Sequence, residues 1–266
     1  MKYGCRTALW LILCSVRLLA RADAPELEYE LLNRYPHPQA GFTQGLLVDR
    51  GCVYETSGLY GSSYIAYWCP GDTRPQRLKP LPGRYFAEGL ALVDGHLVVL
   101  TWRAGRALRL ETEQFHTRGQ WRYEGEGWGL TFDGQHFLMS DGSATIQRRD
   151  REDFRPLGSF TVSDGGQPVA RLNELEWING KLLANVWLDA RIAVINPDTG
   201  SVSGWLDLSA LHPERGPEDV LNGIAWDARS RTVLVTGKRW PEVFRLRVPA
   251  LEDVPRRLPG MTVNPR

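Results

Sequence analysis

The sequence has no long apolar run, little net charge and few cysteines, and each shortage removes a class of protein. Its one marked apolar stretch, Ala8–Val16, is interrupted by Arg17 and falls short of the roughly 20 residues that cross a bilayer. Lys2 and Arg6 precede it and Ala22-Asp23-Ala24 follows as a small-residue cleavage site, so residues 1–24 read as an export signal. Cys14 follows Leu13, where a lipidation signal needs a small residue. The expectation is therefore an exported protein, periplasmic or secreted, with no membrane association once residues 1–24 are removed and a single domain over residues 25–266.

The formal net charge is +1; losing the four basic and one acidic residues of the leader makes it −2. Nucleic-acid and anionic-membrane partners usually demand a basic excess, and none is present. Of four cysteines, Cys52 and Cys69 lie beyond the leader, flanking the strand-like runs Val53–Glu55 and Ile65–Trp68. A hairpin centred between Tyr60 and Gly61 places the two face to face, close enough for a bridge in an oxidising compartment. A pair of half-buried free thiols satisfies the same spacing.

What the sequence does have is 10 Trp, 27 Gly and 17 Pro, the composition of short strands and tight turns rather than long helices. It also repeats. Gln44-Gly45-Leu46, Glu88-Gly89-Leu90, Trp128-Gly129-Leu130, Asn173-Glu174-Leu175 and Asn222-Gly223-Ile224 share one pattern, at steps of 44, 40, 45 and 49 residues. Each triplet is followed by a turn signal (Asp49-Arg50-Gly51, Asp94-Gly95, Asp133-Gly134, Asn179-Gly180, Asp227–Ser230) and then an apolar strand. A period of 40–50 residues in turn-rich, β-branched sequence is that of a β-propeller. The fold class is all-β: a five-bladed propeller of four antiparallel strands per blade. The last unit shows only three strands, and the alternation of Leu27–Leu32 offers the fourth, closing the ring with an N-terminal strand and hiding a sheet edge.

The repeat also aligns side chains. A second marked position follows the first by 14 residues in four units and 16 in the fifth, giving Gly58, Trp102, Gly142, Trp187 and Lys238. The first position opens the innermost strand and the second closes its hairpin partner, so all ten converge on one end of the central channel. That ring holds one carboxylate (Glu88), one ammonium (Lys238), the amides Gln44, Asn173 and Asn222, and the indoles of Trp102, Trp128 and Trp187. Surrounding Gly and Leu repeat while the ring residues vary, as in a pocket whose positions have different tasks. A lone pair of opposite charges among indoles is costly to desolvate unless it serves a purpose.

The chemistry open to this ring is narrow. None of the histidines His37, His96, His116, His136 and His212 occupies a ring position, so a histidine-based metal centre is not expected. One carboxylate makes neither a glycosidase acid pair nor a calcium cage. Proton transfer by Glu88, electrostatic help from Lys238 and the amides, and an aromatic cage remain. Glu55, Glu126, Glu174 and Glu176 read as supporting groups rather than a second catalyst.

The motifs themselves resemble a known family. Tyr35-Pro36-His37 with Phe42–Gly45, Tyr54–Gly61, Leu100-Thr101-Trp102, Gly125–Leu130, Ser140–Ser143, Leu172–Trp177, Ala184–Trp187, and Leu221–Ala225 with Val235–Lys238 are similar to the glutamine cyclotransferases of plants and bacteria. The likeness runs through every repeat, over residues 30–248. In Phe86-Ala87-Glu88-Gly89 the sequence departs from the family, which usually has Gly before the Glu. The resemblance implies a five-bladed propeller that converts N-terminal glutaminyl residues of peptides or proteins to pyroglutamyl with release of ammonia. It implies no cofactor, and a substrate site of Phe42, Gln44, Phe86, Glu88, Trp102, Trp128, Asn173, Trp187 and Lys238. Glu88, Lys238 and Asn173 are the expected catalytic groups; the repeat adds Asn222 to the substrate-binding set. A monomer is expected. The alternative is a non-catalytic propeller that binds peptide N-termini or another small ligand in the same pocket.

Overall fold

The computed structural model describes residues 23–211 and 216–252. They form five four-stranded antiparallel sheets, arranged as the blades of a propeller. The innermost strands are Thr43–Asp49, Ala87–Val93, Leu130–Phe132, Leu172–Ile178 and Leu221–Asp227, and they pack on one another in a closed ring about the axis. Each blade then steps outward by tight hairpins. Asp94-Gly95 and Asn179-Gly180 take positive φ at both residues, the conformation that two-residue hairpin turns require. In the first blade that pair is Arg50-Gly51.

Period-two alternation explains how the blades stack, because successive side chains on a strand face opposite neighbours. In the first blade Val53 faces the fifth blade, packing with Ala225, Leu234 and Val243. The adjacent Tyr54 faces the second blade, packing with Leu90, Leu97 and Val99. In the second blade Val98 and Leu100 turn to the third. The remaining clusters fill the seams between blades three and four and between four and five. The core is thus five inter-blade layers, and outermost strands such as Pro156–Thr161 are largely exposed.

The ring closes through the N-terminal strand, Glu30–Pro36, which pairs antiparallel with Glu242–Arg247 as the fourth strand of the fifth blade. Closure by an N-terminal strand agrees with expectation, but its bounds differ from the Leu27–Leu32 alternation. Leu27 donates its amide to the Trp205 carbonyl (2.7 Å) on the fourth blade. Leu27, Tyr29 and Leu31 pack against the core between blades four and five. The apolar alternation therefore records packing on that seam, and strand pairing begins part-way through it, at Glu30.

A buried polar cluster sits behind the closure. His37 offers Nδ1 to the Trp240 carbonyl (2.8 Å) and Nε2 to both oxygens of Glu55 (3.1 Å each). Glu55 also accepts from Thr43 Oγ1 (2.8 Å) and Trp68 Nε1 (3.0 Å). Both imidazole nitrogens face acceptors, an arrangement that favours the protonated ring. Burial alone would lower its pKa, but the charge and hydrogen bond of Glu55 and the Trp240 carbonyl outweigh it and the net shift is upward.

Cys52 and Cys69 are disulfide-bonded across adjacent strands of the first blade, with Cα atoms 4.2 Å apart. Val53 faces Trp68 in that pairing, the register that a centre between Tyr60 and Gly61 demands. The expected export segment lies, except for Asp23 and Ala24, outside the described residues. Among the described residues no helix is long and apolar enough to cross a membrane.

Candidate active site

Each inner strand is irregular at its marked residue. Ala87 faces Thr101 but Leu90 faces Val99, so one extra residue is accommodated around Glu88. The same shift surrounds Gln44, Asn173 and Asn222. In the third blade Trp128 and Gly129 both bond to Ser140, from which the regular ladder starts. A bulge re-aims the side chain it carries. Five bulges at one level therefore turn five side chains toward one end of the channel.

The glycines beside them permit this crowding. A Cβ on Gly129 would fall 2.0 Å from the Asn173 carbonyl oxygen, and one on Gly89 would fall 2.4 Å from the Leu130 amide nitrogen. In the fourth blade the equivalent position is Glu174, whose carboxylate spans the axis. Its oxygens accept from the amides of Leu46 (3.3 Å) and Ile224 (2.9 Å). Burial, and secondarily the neighbouring Glu176, push its pKa well above the usual carboxylate range. Glu176 is pushed up to about 8 by burial.

Above this level opens a cavity of about 480 Å³. Its lining includes Phe42, Gln44, Phe86, Glu88, Trp102, Trp128, Asn173, Trp187 and Lys238, together with Leu59, Arg103, Glu126 and Glu218. The expected substrate-site residues thus share one cavity, except Asn222. Asn222 lies behind Gln44: its Nδ2 donates to Gln44 Oε1 (3.2 Å) and to the Thr43 carbonyl (2.8 Å). Gln44 Nε2 in turn donates to Glu88 Oε1 at 3.4 Å.

Charge is scarce and buried at the cavity floor. Glu88 is 4% exposed and Lys238 is 5% exposed. Burial raises the Glu88 pKa well above its ordinary value; Lys238 opposes this and Glu126 adds to it. The Lys238 pKa is lowered, chiefly by burial, against the pull of Glu88 and Glu218. Lys238 Nζ also lies 4.7 Å from the centre of the Phe42 ring, within cation–π range. Asn173 Oδ1 is buried without a hydrogen-bond partner.

The walls are aromatic. Trp128 and Trp187 meet edge to face at 5.8 Å, and Phe86 packs on Trp102 at 5.4 Å. Two glycines of the second ring position make room for them. A Cβ on Gly58 would sit 2.2 Å from Phe86 Cε1, and one on Gly142 2.7 Å from Trp128 Cζ2. The sequence profile of the glutamine cyclotransferase family matches residues 7–248, the whole propeller.

The chain belongs to the glutamine cyclotransferase family.

A curated relative from Arabidopsis thaliana, named glutaminyl-peptide cyclotransferase, is 34% identical over 229 residues, covering 83% of this chain and 71% of its own. The crystal structure of Myxococcus xanthus glutaminyl cyclase superposes with a TM-score of 0.79 at 33% identity. That match covers 85% of this chain and 98% of the other. The departure at Ala87 is accommodated locally: Ala87 does not adopt a positive φ, so its methyl group brings no backbone strain.

Leu59, Arg103, Glu126 and Glu218 line the cavity but were not picked out as site residues by the repeat. Leu59, Arg103 and Glu218 lie in loops, outside the repeating strand positions. Glu126 carries a partial signal, standing two residues before Trp128 in the Gly125–Leu130 motif.

Proposed function

We propose that this member of the family cyclises N-terminal glutaminyl residues to pyroglutamyl, releasing ammonia, and that Glu88 carries the proton. The observation behind the assignment is a single buried carboxylate and a single buried ammonium at the floor of an indole-walled cavity. The α-amine nitrogen attacks the carbonyl carbon of its own side-chain amide. A new C–N bond forms, the bond to the amide nitrogen breaks, and ammonia departs. The neutral amine gives up one proton and the leaving nitrogen gains one, so a single group that takes and returns a proton balances the reaction. Glu88 fits because it lies at the floor of this cavity and burial raises its pKa above the ordinary carboxylate value, so that it both takes up and returns a proton.

Lys238 and the amides of Asn173 and Gln44 supply donors for the oxyanion that develops on the attacked carbonyl. The substrate must also fold its side chain back on its own amine, and Trp102, Trp128 and Trp187 enclose a group of that size. We read the protein as a monomer, and the chemistry as written calls on no cofactor. The disulfide suits an oxidising compartment, in keeping with export to the periplasm or beyond.

Incubation with a Gln-initiated dipeptide should release one ammonia per peptide and lower the peptide mass accordingly. Binding without ammonia release would instead support the non-catalytic peptide-binding reading.

A further inference from the structure

Glu126 is not among the ring residues, yet it ties the cavity wall together. Its Oε2 accepts hydrogen bonds from two indoles at once, Trp102 Nε1 at 2.7 Å and Trp128 Nε1 at 2.9 Å. Its Oε1 accepts from Arg103 Nε at 2.8 Å. The Arg103 guanidinium lies 3.8 Å over the Trp102 ring, so that indole is held both at its edge and on its face. Trp102 closes a hairpin of the second blade and Trp128 opens the third. The carboxylate therefore bridges the blade seam at the cavity mouth.

Two consequences follow from chemistry. Three N–H donors converge on this side chain, and only an acceptor-only group satisfies all of them. Both indole N–H groups are spent on Glu126, so the cavity meets ring carbon from Trp102 and Trp128. Glu88, Lys238, Gln44 and Asn173 offer polar contact from the floor, and the charged side chains of Arg103, Glu126 and Glu218 also line the cavity.

We propose that Glu126 is a positioning residue for the cyclisation, fixing the two indoles that enclose the glutaminyl group and holding a negative charge in the cavity that contains Glu88. This role rests on the reading of the cavity as a glutaminyl cyclisation site. Glu126 stays ionised despite burial, because hydrogen bonds from Trp128, Arg103 and Trp102 hold its pKa below the ordinary value. The charges that act on Glu88 are those of Lys238 from the fifth blade and Glu126 from the segment joining blades two and three. Arg103 and Glu218 line the same cavity, and the buried Tyr123 hydroxyl feels the charge of Glu88. Of these, Lys238 lowers the proton affinity of Glu88 and Glu126 raises it.

The test is the pH dependence of kcat/KM on one Gln-initiated dipeptide for the unsubstituted protein, Glu126→Gln and Glu126→Asp. Melting temperature and tryptophan emission report that each variant is folded. Glu126→Gln turns a donor toward a donor and removes the charge. It should lower kcat/KM about 10- to 100-fold, the scale of one lost charge-assisted hydrogen bond, and move the acid limb to lower pH. Glu126→Asp keeps the charge at a shorter reach, so the rate falls while the acid limb stays near its original position. A lost rate with an unmoved acid limb in Glu126→Gln would leave only a structural role and overturn the proposal. So would a kcat/KM within twofold of the unsubstituted protein. If the unsubstituted protein itself releases no ammonia, the cyclisation reading falls and this role falls with it.

Discussion

Asn222 Nδ2 donates to Gln44 Oε1 across 3.2 Å, and this bond sets which way the Gln44 amide faces. With its oxygen so engaged, Gln44 turns Nε2 toward Glu88 Oε1, 3.4 Å away. Asn222 thus acts on the proposed base through Gln44, without lining the cavity. Asn222→Ala frees Gln44 to rotate and should lower kcat/KM of the folded variant about 5- to 10-fold, the scale of one ordinary hydrogen bond. It should also lower the melting temperature, because Nδ2 holds the buried Thr43 carbonyl as well. Steady-state kinetics beside a thermal melt decides this. An unaltered kcat/KM would show that the amide orientation does not matter.

The acid limb of the rate profile should lie well above the ordinary carboxylate range. Burial and Glu126 raise the Glu88 pKa, while Lys238 lowers it. Replacing Lys238 with Met removes the lowering influence, so the residual kcat/KM should carry an acid limb at still higher pH. A limb that moves downward in Lys238→Met would contradict the assignment of that limb to Glu88.

Ring closure should weaken as the solution becomes alkaline. The folded-state pKa of His37 lies above its ordinary value of 6.5. A raised histidine contributes its stability below the unfolded pKa and loses it as pH rises through the folded value. Denaturant midpoints should therefore fall from about pH 6.5 upward through that raised value. Other buried groups also titrate, so the comparison is with Glu55→Gln, which removes the counter-charge. That variant should be less stable near pH 6 and show a smaller decline. A parallel decline in both proteins would place the pH dependence elsewhere.

Gly58 should tolerate no side chain. Its missing Cβ leaves room for Phe86, which a methyl group would meet at 2.2 Å from Cε1. Gly58→Ala should cost about 1–3 kcal/mol of stability through overpacking and raise KM, because Phe86 must swing within the cavity. Chemical denaturation and kinetics report the two effects separately, and an unchanged KM would show that Phe86 does not shape the bound state.

The blade count and most cavity residues were legible because one backbone event, the bulge at the head of each inner strand, recurs at a fixed place in every unit. Gln44, Glu88 and Asn173 share that place, and Trp102, Trp187 and Lys238 share the end of the paired strand. Residues whose role depends on a neighbouring blade were less legible. Nothing in Asn173-Glu174-Leu175 announces that Glu174 would reach amides of blades one and five. Glu126 acts by bridging two indoles of different blades, and its partners cannot be read from its neighbours in the chain. The N-terminal alternation was misplaced by a few residues because Leu27 and Leu31 answer to an inter-blade core rather than to strand pairing alone.

The central claim is that Glu88 moves the proton. Glu88→Gln preserves shape and can still accept a hydrogen bond from Gln44, but it cannot exchange a proton with the amine. Ammonia release from a Gln-initiated dipeptide, measured on folded Glu88→Gln beside the unsubstituted protein, tests this directly. The rate should fall by about 10²- to 10⁴-fold, the usual worth of a general acid–base. A rate within a few-fold of the unsubstituted protein would contradict the account and move the proton chemistry to another group.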